Sequence, residues 1–257
     1  MYTSINVDAF KQRLQLPADY KIDGLLASGT WDLYAKNRHV PHLESAFKSL
    51  GIDSELIKIE TEELGHAYEF TVEGKRYWFV PVMGTAVMSQ YAHLASLLGS
   101  KKNILVGMVG GLKNGIKPGD FIIPSASKGN ENALMYDRTK ADLLFYPDQV
   151  LTDSLKHRMS HKTIYEGITN TCEVMFAETA EDVKSWSELG YLGVEMEAAM
   201  MFALSSYFNV PSTALLYVAD NLVEEVTMFD EGYGDSKVIR EDARKLQYEV
   251  ALAELLA

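Results

Sequence analysis

Two glutamates stand one residue apart in the stretch "LGVEMEAAMMF", which begins at Leu192. Glu195 closes a short apolar run and Glu197 opens a helical one, with Met196 between them. An acidic first turn complements a helix dipole by about 0.3–1 kcal/mol, which accounts for one carboxylate better than for two. A carboxylate can also accept two hydrogen bonds from a vicinal diol, and a methionine offers a polarisable apolar floor to a sugar ring. The spacing therefore fits both helix capping and sugar binding.

Asp220 follows the apolar run "LLYVA", which is typical of a central strand. A carboxyl group at the exit of such a strand is partly desolvated, which raises its pKa and suits it to act as an acid. The pair Asp220-Asn221 is also ordinary turn chemistry. The residues alone leave both interpretations open.

The segment "VGMVGGLKNG" is rich in glycine and invites comparison with phosphate-binding loops. Gly107, Gly110 and Gly111 match the spacing of neither common glycine motif for nucleotides, so we predict a tight turn after a strand. In an α/β sheet, ligands bind beyond the carboxyl ends of the strands. This turn, Gly29 and both acidic segments fall at such ends, which predicts a ligand site there.

Strand-like and helix-like patterns alternate along the whole chain, which predicts an α/β fold. We expect a single domain over residues 1–257, a three-layer α/β/α sandwich around a central, twisted, mixed sheet. The predicted strands are Asp23–Gly29, a hairpin around Glu73-Gly74, "KNILV", "DFIIP", "TIYEGITNT", "GVE", and "STALLYVAD" ending at Asp220. The predicted helices are "TAVMSQYAHLASLLG" stopped by Gly99, "ETAEDVKSWSEL", Met196 to about Phe208, and the tail from about Ser236.

Composition narrows the function classes. The 257 residues carry 36 acidic and 24 basic side chains, a net charge of −12, which argues against nucleic acid or an anionic membrane surface as partner. Cys172 is the single cysteine, so an internal disulfide and a multi-cysteine metal site are excluded. The N-terminal stretch has no apolar signal core, and no apolar run approaches the roughly 20 residues of a membrane span. We therefore expect a cytoplasmic protein.

Other catalytic chemistries find little support in the sequence. The six histidines show no metal-ligand spacing, and we expect them at the surface or in packing, with no metal bound. There is no G-x-S-x-G motif, which disfavours serine hydrolase chemistry on this fold.

Three segments in order, "ILVGMVGGLKNGIKPGDFIIP", "LGVEMEAAMMFAL" and "ALLYVADN", resemble the nucleoside phosphorylase/nucleosidase superfamily. That superfamily includes purine nucleoside and uridine phosphorylases, methylthioadenosine nucleosidases and AMP nucleosidases. The resemblance runs from about Gly24 to the C-terminus. It implies cleavage of the N-glycosidic bond of a nucleoside, with a purine expected, by a homo-oligomer that uses no cofactor beyond inorganic phosphate as a co-substrate.

The resemblance also implies roles for single residues. Met196 and Glu197 would lie under the ribose, with Glu197 bonding its hydroxyls and Glu195 lining the same pocket. Asp220 would protonate the leaving base, with Arg240, ahead of the last helix, as an assisting cation. The expected contacts to the base are Met175, Phe176 and Asn221. Cleavage passes through an oxocarbenium-like state, so stabilising the sugar's positive charge and protonating the base are the two needs.

The acceptor region departs from the family pattern. Phosphorylases of this family carry Arg-x-Gly-Ser/Thr where this chain has Leu105 to Met108, and an arginine soon after Gly29 where "SGTWDLY" has none. Phosphate needs charge-assisted donors, so the acceptor around Gly29, Gly107 and Met108 stays open between phosphate and water. The candidate substitute cations are Lys113, Lys128, Arg138 and Arg38.

Methylthioadenosine nucleosidases carry a glutamate for the attacking water just after the first strand, where this chain has Ser28 and Gly29. The sequence thus leaves three functions: a phosphorylase or nucleosidase acting on a nucleoside, a nucleosidase acting on AMP or another nucleotide, and a non-catalytic nucleoside-binding or storage protein.

Overall fold

The computed structural model describes residues 6–31, 39–61, 64–224 and 227–257. Within these residues ten strands join in one mixed sheet. The strands are β1 Gly24–Gly29, β2 Ile57–Lys58, β3 Tyr68–Val72, β4 Lys75–Val82, β5 Asn103–Gly111, β6 Phe121–Lys128, β7 Leu144–Phe145, β8 Ile164–Thr171, β9 Gly193–Glu195 and β10 Ser212–Asn221. The α-helices are α1 Val7–Arg13, α2 His39–Ser49, α3 Gly84–Leu97, α4 Gln149–Arg158, α5 Ala180–Glu188, α6 Ala198–Phe208 and α7 Lys237–Leu256.

The sheet has an open wing and a closed ring. In the wing, β1 lies parallel to β4 and β5, and the β3–β4 hairpin and β2 extend the edge. In the ring, β5 pairs with β10, β10 with β6, β6 with β8, β8 with β9, and β9 returns to β5. The predicted α/β architecture with a central mixed sheet is confirmed. The ring closure was not predicted, because it depends on the three-residue strand β9 pairing on both sides.

Helices cover both faces of the sheet. Helices α3 and α6 pack together on one face, and α7 packs with α2 and α4 on the other. Helix α6 is buried from Ala198 to Ser205, as expected of a helix that is apolar all round. None of the helices in the described residues combines the length and apolarity that crossing a bilayer requires.

All the predicted strands and helices occur. The prediction of a glycine-rich turn directly after residue 106 is wrong. Gly107, Gly110 and Gly111 lie inside β5. A Cβ on Gly107 would stand 3.5 Å from the backbone of Gly29, and one on Gly110 would stand 3.4 Å from Asp220 Oδ1. Close packing disfavours a side chain at Gly110, whose added Cβ would stand 3.1 Å from Leu222 Cδ1, whereas the distances at Gly107 are ordinary contacts. The helix expected from Met196 begins at Ala198, and the last strand runs one residue past Asp220.

Strand β9 depends on Gly193, whose added Cβ would stand 2.4 Å from Val109 Cγ2 and 3.0 Å from the Gly110 carbonyl oxygen. We expect Gly193→Ala to lower the free energy of unfolding by about 1–3 kcal/mol, because overpacking forces strand β9 away from β5. Urea denaturation measures it. Gly232→Ala is the matched control, since nothing lies within 4 Å of its added Cβ. Equal midpoints for the two variants would contradict the packing argument.

Candidate active site

A cavity of about 890 Å³ opens where the ends of β1, β5 and β10 meet the β9–α6 junction. Most of the site residues predicted from the sequence line its wall. Those on the wall are Gly29, Met108, Met175, Phe176, Glu195, Met196, Glu197 and Asp220. Gly107, Asn221 and Arg240 do not line it.

The Glu195 side chain is 4% exposed, and donors from within the protein occupy both of its oxygens. Oε1 accepts hydrogen bonds from the hydroxyls of Ser127 and Thr171. Oε2 accepts from the backbone N–H groups of Glu197 at 2.7 Å and Ala198 at 2.6 Å, and so caps helix α6. Burial raises the pKa of Glu195, and the four donors act against that rise. Glu195 therefore fixes the cavity wall at the start of helix α6.

Glu197 precedes helix α6 but its side chain makes no capping hydrogen bond. Its Oε1 accepts from the backbone N–H of Gly84 at 2.6 Å. Its Oε2 would lie 2.7 Å from a Cβ on Gly29, so only glycine leaves room for the carboxyl group there. Burial, reinforced by the nearby charge of Glu195, raises the pKa of Glu197 to about 8. A neutral carboxyl group can both donate to and accept from sugar hydroxyls.

Asp220 is 8% exposed on strand β10, level with Gly110 of β5. Its Oδ2 accepts a hydrogen bond from the Met228 backbone N–H at 3.2 Å. Burial raises the pKa of Asp220 to about 6, against the opposing effects of that N–H and of the charge on Arg240. A carboxyl group with this pKa is partly protonated near neutral pH and can act as a general acid.

Arg240 lies in the first turn of α7, not ahead of the helix. Its guanidinium carbon stands 3.4 Å from the centre of the Tyr233 ring. The same group donates to the Tyr233 carbonyl oxygen at 2.7 Å and to the Ser236 hydroxyl. Arg240 therefore acts on Asp220 only through its charge.

Asn221 does not line the cavity, and its side chain binds backbone groups of two loops. Its Nδ2 donates to the carbonyl oxygens of Lys113 at 3.0 Å and Ile116 at 2.8 Å. Its Oδ1 accepts from the N–H groups of Val223 and Glu224. Asn221 thus ties the turn after β10 to the loop after β5, which is the turn chemistry that its sequence context allowed.

Aromatic side chains gather at the cavity mouth. Phe176 is 82% exposed, and its ring meets Trp31 edge-on at a centroid distance of 5.6 Å. Phe229 is exposed on the opposite segment of the lining. Exposed rings of this kind suit a flat heterocycle. Trp31 and Phe229 were not among the predicted site residues. The position of Trp31 two residues after Gly29 was the available signal.

Among the described residues, the cavity wall is acidic. The ionisable lining residues are Glu178, Lys184, Glu188, Glu195, Glu197, Asp220 and Asp230. None of Lys113, Lys128 and Arg138 lines the cavity, and Arg38 lies outside the described residues. The described residues also contain no cluster of His, Cys, Asp or Glu that could hold a metal ion.

Comparison with known proteins gives consistent matches. A family model for the phosphorylase superfamily matches residues 45–248. A DeoD-type purine nucleoside phosphorylase from Clostridium beijerinckii is 30% identical over 179 residues, 65% of this chain and 72% of that protein. The corresponding protein from Streptococcus suis is 32% identical over 177 residues, 64% of this chain and 72% of its own length. The predicted superfamily is confirmed.

A crystal structure of uridine phosphorylase from Vibrio fischeri aligns with a TM-score of 0.75. It covers 96% of this chain and 98% of that protein at 16% sequence identity. At that identity the match shows a shared fold.

The raised pKa of Glu197 predicts a pH-dependent stability. Between the ordinary carboxyl pKa of 4.5 and about 8, the folded protein holds a proton that the unfolded chain has lost. Stability therefore falls as pH rises through this range, by up to about 1.4 kcal/mol per pH unit. Glu197→Gln removes this dependence. We expect the variant to gain stability relative to wild type as pH rises, levelling off above about 8.

Urea denaturation across this pH range measures the difference. Glu131→Gln, at an exposed position, is the control and should track wild type throughout. A constant difference between Glu197→Gln and wild type would contradict a proton held on Glu197.

Proposed function

The chain belongs to the phosphorylase superfamily, and on that premise we propose that it cleaves the N-glycosidic bond of a purine nucleoside. The observation that carries the proposal is one cavity containing an acid with a pKa of about 6, Asp220, and a buried carboxyl group beside an apolar sulfur, Glu197 and Met196. The acid Asp220 suits protonation of a leaving base. Glu197 and Met196 suit the binding of a ribose. The purine is supported by the relatives that match over about two thirds of the chain, which are DeoD-type purine nucleoside phosphorylases.

In the proposed reaction, Asp220 donates its proton to the purine ring as the C1′–N bond breaks. The bonding electron pair leaves with the base, and positive charge develops on the sugar. Glu197 binds the ribose hydroxyls, and Met196 lies against the ring. Phe176 and Trp31 enclose the base from the mouth of the cavity. General acid catalysis of this kind contributes typically 10²–10⁴-fold.

Phosphate is the acceptor that the relatives' names imply, and water is the second candidate. The charge balance supports water, since the described wall is acidic as a whole and carries no basic side chain around Gly29 and Met108. The same charge balance disfavours a nucleotide such as AMP as substrate.

We also propose a cytoplasmic homo-oligomer. The single cysteine supports a reducing compartment. Exposed apolar side chains such as Val150, Val238 and Ile239 support association between copies. Light scattering on the purified chain tests the oligomer.

The function is tested by incubating purine and pyrimidine nucleosides and AMP with the protein, with and without phosphate, followed by product analysis. We expect free purine base, accompanied by ribose 1-phosphate or free ribose according to the acceptor. Ribose 5-phosphate would instead indicate a nucleosidase acting on AMP. Calorimetric binding of nucleosides with no product would indicate a binding or storage protein and overturn the proposal.

Asp220→Asn should reduce kcat by about 10²-fold or more and change KM little, because the amide keeps the shape but cannot protonate the base. The turnover rate is measured by monitoring the release of purine base by absorbance. In wild type, kcat/KM should fall as pH rises above about 6, where Asp220 loses its proton. Asp235→Asn, at an exposed position, is the control. Wild-type turnover by Asp220→Asn would remove Asp220 from the mechanism.

A further inference from the structure

A buried histidine stands directly behind the cavity wall. His39, the first residue of α2, places Nε2 2.7 Å from the Thr30 hydroxyl and Nδ1 2.8 Å from the Tyr248 hydroxyl. The Ser28 hydroxyl lies 2.7 Å from that of Tyr248 and 3.3 Å from His39 Nδ1. All four side chains are at most 4% exposed. A polar network thus runs from α7 through the end of β1 to the cavity wall.

Thr30 lies at the end of the cavity opposite Asp220. Gly29 and Thr30 both line the wall where Glu197 Oε2 approaches, and the Thr30 N–H is fixed on the Val82 carbonyl oxygen at 2.8 Å. Gly29 packs on Gly107, whereas Asp220 pairs with Gly110, three residues further along β5. That separation is about 10 Å along a strand, enough for a ribose between the two ends.

The network can orient the Thr30 hydroxyl in two ways. With the imidazole proton on Nδ1, His39 donates to Tyr248 and accepts from Thr30 at Nε2, so the Thr30 oxygen can accept from water. With the proton on Nε2, His39 donates to Thr30, and the Thr30 hydroxyl can donate to an anion. The described cavity wall carries several carboxyl groups and Lys184 as its one basic side chain, a charge balance that disfavours an anion and favours the first arrangement.

We propose that Thr30 and His39 hold and deprotonate a water molecule that serves as the acceptor for the sugar. The water oxygen bonds to C1′ as the C1′–N bond breaks, and the base leaves with the electron pair and the Asp220 proton. The water proton passes to Thr30 Oγ1 while Thr30 passes its own proton to His39 Nε2. Exchange with solvent then restores both His39 and Asp220. This assignment rests on the proposed nucleoside-cleaving function.

The test pairs Thr30→Val with Thr30→Ser. Loss of the hydroxyl should lower kcat by about 10²-fold and leave the nucleoside KM within about threefold, because the acceptor takes no part in binding the nucleoside. Thr30→Ser should keep most of the activity. Thr163→Val, at an exposed position, is the control for the substitution itself. A loss that only reflected damaged packing would raise KM and lower the melting temperature together.

A second pair tests His39 independently if Thr30→Val does not fold. An amide in His39→Gln can reach the Nε2 position and keep Thr30 in place, whereas in His39→Asn it reaches only the Nδ1 position. Neither amide accepts the proton, so we expect kcat to fall about 10²-fold in both, and further in His39→Asn. Wild-type kcat in either His39→Gln or Thr30→Val would overturn the relay.

The acceptor is identified by incubating the wild-type protein with nucleoside in oxygen-18-labelled water without phosphate and analysing the sugar product. Free ribose carrying the label at C1 supports the proposal. Turnover that requires phosphate and yields ribose 1-phosphate overturns it and leaves the nucleoside-cleaving function intact. No release of base from any nucleoside under either condition overturns the proposed function itself.

Discussion

Burying the Glu195 carboxylate removes it from water, which costs several kcal/mol unless hydrogen bonds replace the lost hydration. Its four donors come from β6, β8 and the first residues before and in α6. One side chain therefore joins two strands of the closed ring to the helix start. The same contacts fix the backbone of Met196 and Glu197. The buried Glu195 carboxylate therefore sets the shape of the cavity wall at these two residues.

The charge on Glu195 also sets the electrostatics of its neighbour. Burial, reinforced by that charge, raises the pKa of Glu197 to about 8, so Glu197 is largely neutral at neutral pH. In the proposed reaction, positive charge then develops on the sugar bound next to it. A nearby positive charge favours ionisation of a carboxyl group. Glu197 would therefore stabilise the transition state more than the ground state, which is the condition for accelerating the reaction.

Local signals in the sequence predicted the elements well, and long-range contacts explain what they missed. The β3–β4 hairpin and the end of α3 follow from glycines with positive φ at Gly74 and Gly99. Gly107 and Gly110 were wrongly assigned to a turn because β5 continues through both, and the tight contact at Gly110 comes from Leu222, which is distant in sequence. His39 looked like a packing residue because Tyr248, its partner on α7, is 209 residues away in sequence. Asn221 shows the reverse case, a residue next to Asp220 in sequence whose amide turns away from the cavity.

The identity of the acceptor and the protonation of Glu197 are physically coupled. Two like charges about 4 Å apart repel by about 4 kcal/mol at the effective dielectric constant near a protein surface. A phosphate dianion beside Gly29 would therefore oppose ionisation of Glu197 at the moment when the sugar's positive charge favours it. Water imposes no such opposition. In the proposed reaction, an acceptor end at Gly29 and Thr30 that holds water lets Glu197 respond to the charge on the sugar, whereas a phosphate site would first have to compensate for the repulsion between phosphate and that carboxylate.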